Sequence, residues 1–324
     1  MANVKPQILV TGAAGALAQR LIRLLKPDYR VVGVDFRRRP ELGRDIASYG
    51  IDLNHRGFED IFRRHELAGV IHLGRILAYE SSPYRRYNAN VLGTRHLLDF
   101  CRQYRAAPVL VLSTFHVYGA TPYNPAPLDE EAPLKASELT LDLVDSVELE
   151  NLATVYRWRY PELNITILRP CHIVGPGMNN SMSLLLSQRV APVLAGFSPL
   201  MQFIHVDDMA QAVRLAFQQN QPGIYNVAPQ DWIPYQEALA ECGCMRLPLP
   251  SIPALAPYLI SRLLGWKSFP SYLLNYFKYP VIIDGGLFER TFGFQPRHSL
   301  ATIFAEYRRR KEDDAGGQRM ASRD

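Results

Sequence analysis

Through the first half of the chain, short unbroken apolar runs alternate with stretches of helical spacing. Gln7-Ile8-Leu9-Val10-Thr11 is apolar and ends on a glycine, and Leu17 to Leu25 then shows helical periodicity until Lys26-Pro27 stops it. Further strands are predicted at Arg30–Asp35, Gly69–Leu73, Pro108–Ser113 and Asn164–Leu168, with helices at Ala89–Tyr104 and Leu141–Trp158 between them. Strands that are apolar on both faces and separated by helices pack as a parallel sheet covered on each side. The expected class is therefore α/β, a doubly wound parallel sheet. After Pro170 the rhythm breaks. Residues 247–280 are rich in Pro, Leu and aromatics, and their prolines and charges (Arg262, Lys267) predict a small packed subdomain of short helices. A greasy substrate lid or a weak peripheral membrane contact are the alternatives for this segment. The tail from Arg308 is polar with little periodicity and is expected to be flexible over 309–324.

Composition narrows the classes. With 48% hydrophobic and 21% charged residues the chain is an ordinary folded protein, not a disordered or fibrous one. No apolar window reaches the length of a membrane span, and the first residues read as a strand, not as a signal peptide. Cys101, Cys171, Cys242 and Cys244 are too few and too irregular for a disulfide framework, so reduced thiols and a cytoplasmic location are expected. Cys242-Gly243-Cys244 has no second pair nearby, and no metal is expected. The net charge of +5 is carried largely by arginine clumps scattered along the chain. Without a nucleic-acid-binding fold or an aromatic platform they read as solvated faces, leaving a small-molecule substrate as the expected partner.

One motif carries chemistry directly. Gly12-Ala13-Ala14-Gly15-Ala16-Leu17-Ala18 follows a strand and opens a helix. Gly12 permits the tight turn, Gly15 lets backbone approach a pyrophosphate, and Ala18 keeps the helix close to the sheet. The helix N-terminus then offers unpaired N–H groups to phosphate. Asp35 ends the second strand 20 residues after Gly15, where a carboxylate accepts ribose hydroxyls and repels a 2′-phosphate. This points to NAD, with NADP kept as the alternative because Arg37 and Arg38 follow.

These motifs, with others in order behind them, resemble the extended short-chain dehydrogenase/reductases of the NAD-dependent epimerase/dehydratase kind. Ile51-Asp52-Leu53 resembles the family's acidic residue near adenine, and Val70-Ile71-His72-Leu73-Gly74 its strand beside the cofactor. Asn90-Val91-Leu92-Gly93-Thr94 is similar to the helix motif with a structural asparagine. Leu112-Ser113-Thr114-Phe115-His116-Val117-Tyr118-Gly119 is similar to the strand end that holds the catalytic Ser/Thr, here Thr114. Leu168 to Gly177 resembles the loop into the substrate lobe, and Phe203 to Ala210 the segment after it. The resemblance implies a cofactor set of Gly12, Ala14, Gly15, Ala16, Leu17, Asp35, Arg37, Asp52, Leu53, Leu73, Gly74, Asn90, Pro170 and His172. It also implies a Rossmann domain over 1–170 with a return segment at about 203–228, a discontinuous substrate domain over 171–202 and 229–308, and a homodimer through the helices at 89–104 and 141–158.

The family's chemistry rests on Tyr-x-x-x-Lys in the helix before Asn164. No tyrosine occurs from Asn124 to Val155, and the one lysine there is Lys135. Aligned on Glu150, Asp142 stands at the tyrosine position and Ser146 at the lysine position. Tyr307 and Lys311 repeat the spacing, but in the basic tail, and are set aside. The catalytic candidates are Thr114, Asp142, Ser146, Tyr118 and His116, with His172, Tyr79 and Tyr123 behind them. Two functions stay open. One is hydride chemistry with non-standard acid/base groups on a nucleotide-sugar-like substrate or a lipophilic alcohol. The other is a catalytically inactive NAD(H)-binding sensor or structural subunit.

Overall fold

In the computed structural model, which describes residues 5–37, 40–43, 46–76, 82–250 and 271–321, the apolar runs become buried parallel strands. β1 (Gln7–Thr11), β2 (Arg30–Asp35), β3 (Ala47–Gly50), β4 (Leu67–His72), β5 (Val109–Leu112), β6 (Ile165–Pro170) and β11 (Gly223–Val227) form one sheet in the order β11-β6-β5-β4-β1-β2-β3. Every pairing in it is parallel. This is the expected doubly wound architecture. β3 was not expected, because Ala47-Ser48-Tyr49-Gly50 is half-buried at the sheet edge and so lacks an apolar run.

Helices cover both faces. α1 (Ala16–Leu25) buries Leu17, Ala18, Leu21, Ile22 and Leu25 along one stripe and packs on α8 (Val206–Gln219). The opposite face carries α2 (Glu59–Arg64), α4 (Gly93–Gln103) and α6 (Val144–Arg159), whose apolar residues form a second core with Leu9, Val32, Val70 and Val109. α3 (Pro83–Tyr87) leads into α4 through a π-turn at Asn88–Leu92, so the helix foreseen at Ala89–Tyr104 starts earlier and is widened near Asn90. α5 (Ala136–Leu139) precedes α6.

The smaller ladders lie beyond Pro170. β7 (His172–Val174) pairs with β10 (Phe203–His205), β8 (Val190–Leu194) with β13 (Met245–Leu249), and β9 (Leu200–Met201) with β12 (Ile233–Pro234). α7 (Ser181–Ser187) and α9 (Tyr235–Glu241) pack among them. Residues 245–249 are thus a strand, not a short helix, while Tyr258–Leu264 lies outside the described residues. The helix Leu300–Ala321 runs into the segment expected to be flexible. Its first turns are anchored by buried Ile303, Phe304 and Tyr307, and nothing in the polar repeat after them announced the continuation. Among the described residues, no helix is long and apolar enough to cross a membrane.

Strand order reverses direction between β1 and β4, the switch point where open α/β sheets leave a crevice at the strands' carboxyl ends.

Candidate active site

The crevice is lined by the loops after β1, β4, β5 and β6. A cavity of about 610 Å³ runs from the glycine turn to α7 and the 271–277 turn. At one end, Gly12 adopts φ +68°, and a Cβ there would stand 2.7 Å from Gly74 Cα. The turns after β1 and β4 therefore touch, and at position 12 only a glycine permits this contact. Gly15 caps α1 without a side-chain bond, leaving the first N–H groups of the helix facing the cavity beside Ala14, Ala16 and Leu17.

Asp35 is wholly buried and already in use. It accepts from Ala14 N at 3.1 Å and from Arg37 N at 3.0 Å, and the Arg37 guanidinium lies 3.4 Å away. A small pocket lies against it, bounded by Phe36, Ile51, Asp52, Leu53 and Ala89. Asp52 turns its carboxylate onto Asn54 N at 2.8 Å and so shapes this loop. Asn90 reaches Ile76 N at 2.8 Å, Ile76 O at 2.9 Å and Asp145 at 2.5 Å, so it works by fixing the loop after β4. Leu73, Gly74, Pro170 and His172, which sequence placed in the cofactor set, line the main cavity.

His72, at the end of β4, ties three elements together. Its Nδ1 meets Thr11 Oγ1 at 2.6 Å and its Nε2 meets Thr94 Oγ1 at 2.9 Å. Burial, with Arg75 adding, lowers its pKa to about 4, and burial takes His172 down to about 3. Unfolded histidines titrate near 6.5. The stability from these neutral rings is therefore fully present above about pH 6.5 and declines as pH falls from there towards 4. His72 alone accounts for a loss of about 3 kcal/mol. Urea unfolding at pH 7, 5.5 and 4.5 checks this, and a midpoint unchanged across that range would refute it.

The catalytic candidates divide. Thr114, His116, Asp142 and Ser146 all line the cavity. Tyr118 does not. Its hydroxyl donates to Asn226 Oδ1 at 2.7 Å and receives Arg169 Nη1 at 2.6 Å, and burial pushes its pKa up to about 12 despite Arg169. It belongs to a buried assembly in which Arg169 Nε donates to Glu150 Oε1 at 2.6 Å and Ser113 Oγ donates to Glu150 as well. Tyr123 is 90% exposed, and Tyr79 lies outside the described residues. Tyr307 accepts from Gly175 N at 2.9 Å and donates to Ser183 Oγ at 3.0 Å, while Lys311 donates to Cys242 O at 2.8 Å. That pair is packing.

Two arginines absent from the expected set reorganise the wall made by α6. Arg86 is buried and bridges Asp145 at 3.2 Å and Asp142 at 3.3 Å, while donating to Asp142 O at 3.1 Å. Arg75 donates to Ser146 Oγ. Asp142 and Ser146 are thus held by guanidinium groups from β4's loop and α3, although a lone Arg-Arg pair on a short helix carries no signal of this in sequence. On the opposite wall, His116 Nδ1 lies 2.8 Å from Thr114 Oγ1, and its buried Nε2 has no hydrogen-bond partner among the described residues. Tyr276 donates its hydroxyl to His116 O at 2.5 Å and lays its ring 4.8 Å from the imidazole. Burial, then His172 and Arg75, lowers the His116 pKa well below the ordinary value, so the ring is neutral at pH 7. Tyr276 was missed because it comes from a segment 160 residues downstream.

A model of the NAD dependent epimerase/dehydratase family matches residues 8–228. An uncharacterized protein of Mycobacterium tuberculosis (strain ATCC 25618 / H37Rv) is 24% identical over 316 residues, covering 93% of this chain and 82% of that protein. UDP-glucose 4-epimerase of Dictyostelium discoideum is 27% identical over 252 residues, 65% of this chain and 71% of its own length. Among solved structures, the Thermus thermophilus UDP-glucose 4-epimerase complex with NAD superposes with a TM-score of 0.74 at 19% identity, covering 93% of this chain and 99% of that one. The dTDP-glucose 4,6-dehydratase of Bacillus anthracis str. Ames in complex with NAD gives 0.75 at 15% identity, covering 95% and 97%. The glycine turn at the switch point, the buried carboxylate ending β2 and the matched span agree: the chain belongs to the NAD dependent epimerase/dehydratase family.

Proposed function

We propose that the chain binds NAD(H) across the β1/β4 crevice and carries out hydride chemistry on a hydroxylated substrate, with Thr114 and His116 as its proton-handling pair. The observation that carries this reading is that His116 lines the cavity with a buried Nε2 that has no hydrogen-bond partner among the described residues, and is backed at Nδ1 by Thr114. The residues fit the cofactor. Gly12 and Gly15 leave the backbone approach a pyrophosphate needs, the small pocket at Asp52 and Leu53 suits adenine, and Asp35 suits ribose hydroxyls. Arg37 lies against Asp35, so NADP remains the alternative to test.

When bound, the nicotinamide supplies the acceptor for the electron pair of the carbinol C–H bond, so that the alcohol becomes a carbonyl and one proton is released. This chain has to receive that proton. In the tautomer that donates Nδ1–H to Thr114 Oγ1, the neutral His116 presents Nε2 as an acceptor, and the Thr114 hydroxyl is placed to orient the substrate oxygen. Arg75 and Arg86 keep Ser146, Asp142 and Asp145 fixed on the facing wall.

The same arginine contacts favour the second reading, a catalytically inactive NAD(H)-binding protein, since both groups at the expected dyad positions are engaged internally. NADH and NADPH titrations followed by fluorescence, with mass spectrometry of small molecules released from the purified protein, test the cofactor. NADH is expected to bind, and Gly12→Ala to weaken it about tenfold or more, because a Cβ at φ +68° is strained and clashes with Gly74. A protein that binds neither dinucleotide would refute both readings. Turnover with a carbonyl panel separates them. The family-type homodimer is proposed through α4 and α6, where Val155 and Trp158 are exposed. Light scattering decides it.

A further inference from the structure

The far end of the cavity, beyond His116, has a wall rich in carbon and sulfur. Met178, Met182, Met201, Leu273, Tyr276 and Phe277 line it, and all but the half-buried Met178 are buried. Asn179, Asn180 and Ser181 line the cavity beside them. Asn180 accepts from Ser183 N at 2.9 Å and donates to Ile173 O at 2.6 Å, and Tyr276 spends its hydroxyl on His116 O. His172 stacks edge-on against Phe115 at 4.6 Å, in surroundings dry enough to keep it neutral. Among the described lining residues the cations are Arg37, Arg75 and Arg86, which contact Asp35, Ser146, and the pair Asp142 and Asp145, all on the β2 and α6 sides.

A diphosphate seated against the Met178–Met182–Met201 wall would lose its water and meet no cation there, whereas a hydrocarbon body gains from the same desolvation. Three thioethers add a surface that adapts to irregular apolar shapes. We infer that the substrate is an uncharged secondary alcohol or its ketone with a hydrocarbon body, held by the Met178–Met182–Met201 wall with its oxygen at Thr114 and His116. This rests on the proposed hydride chemistry and adds the substrate class to it.

The test uses the full chain saturated with NAD⁺, with which a ketone forms a complex that cannot transfer hydride, titrated calorimetrically with decan-2-one and, separately, with UDP-glucose. The ketone is expected to bind and UDP-glucose not to. Met178→Arg, at the half-buried rim where a long side chain is accommodated, is expected to weaken the ketone about tenfold or more by wetting the wall. The same variant should leave the NAD⁺ affinity within about twofold, which shows that it is folded. UDP-glucose binding without the ketone overturns the inference, as does failure of both ligands while NAD⁺ binds. If both bind, a Met178→Arg variant with unchanged ketone affinity overturns it. Failure of NAD⁺ itself to bind would instead strike the functional reading on which the inference depends.

Discussion

Replacing His116 with glutamine is expected to reduce ketone-dependent NADH oxidation about 10²–10⁴-fold, the usual cost of removing a positioned proton-transfer group. Glutamine keeps a hydrogen-bonding side chain of similar reach to Thr114 but cannot take up a proton. The loss should fall in kcat, with NADH affinity preserved, since His116 sits beyond the glycine turn and Asp35. Thr114→Ala should cost less, because it removes the partner of Nδ1 but leaves the imidazole. The check is steady-state kinetics of the three proteins beside NADH titrations. A His116→Gln enzyme with unchanged turnover would remove His116 from the mechanism and return attention to the α6 wall.

Replacing Glu150 with alanine is expected to destabilise the fold by about 3–5 kcal/mol, the range for breaking a buried ion pair by deleting one partner. Glu150 is fully buried, and Arg169 is only 3% exposed. Without the carboxylate, the guanidinium keeps Tyr118 and the Glu130 carbonyl, at 2.6 and 2.9 Å, but loses its counter-charge. Ser113, next to Thr114, loses its acceptor at the same time. Thermal unfolding should show a drop of several degrees or more. A midpoint within a degree of the parent would mean that the charge is not buried in solution as the geometry requires.

Both experiments turn on residues that sequence reading weighed very differently. His116 was legible because Thr114 could be placed at a strand end and His116 lies two positions on, a separation that one 3₁₀ turn brings into contact. Tyr118 lay two positions further on and was ranked beside it, yet the same turn sends its ring away from the cavity and into the Arg169 cluster. Local spacing gives proximity; which way a ring points depends on what packs behind it. Asp142 and Ser146, placed by sequence at the positions of the missing dyad, line the cavity, but their partners Arg86 and Arg75 come from segments 56 and 71 residues earlier. Nothing about an arginine in isolation says whether it meets solvent or a carboxylate from another helix.

What the amino-acid order determined by itself is the framework. Continuous apolar strands alternating with amphipathic helices permit one economical packing, a parallel sheet covered on both faces. A glycine turn between the first strand and helix, followed by Asp35, marks where a dinucleotide fits. These signals are local and periodic, so they survive without coordinates. Tertiary structure alone decided the rest: the contact of Gly12 with Gly74, the guanidinium grip on α6, Tyr276 against His116, and the apolar wall drawn from α7, β9 and the 271–277 turn. Each joins residues far apart in the chain, and such contacts follow from how the layers close on one another, which no short window of sequence encodes.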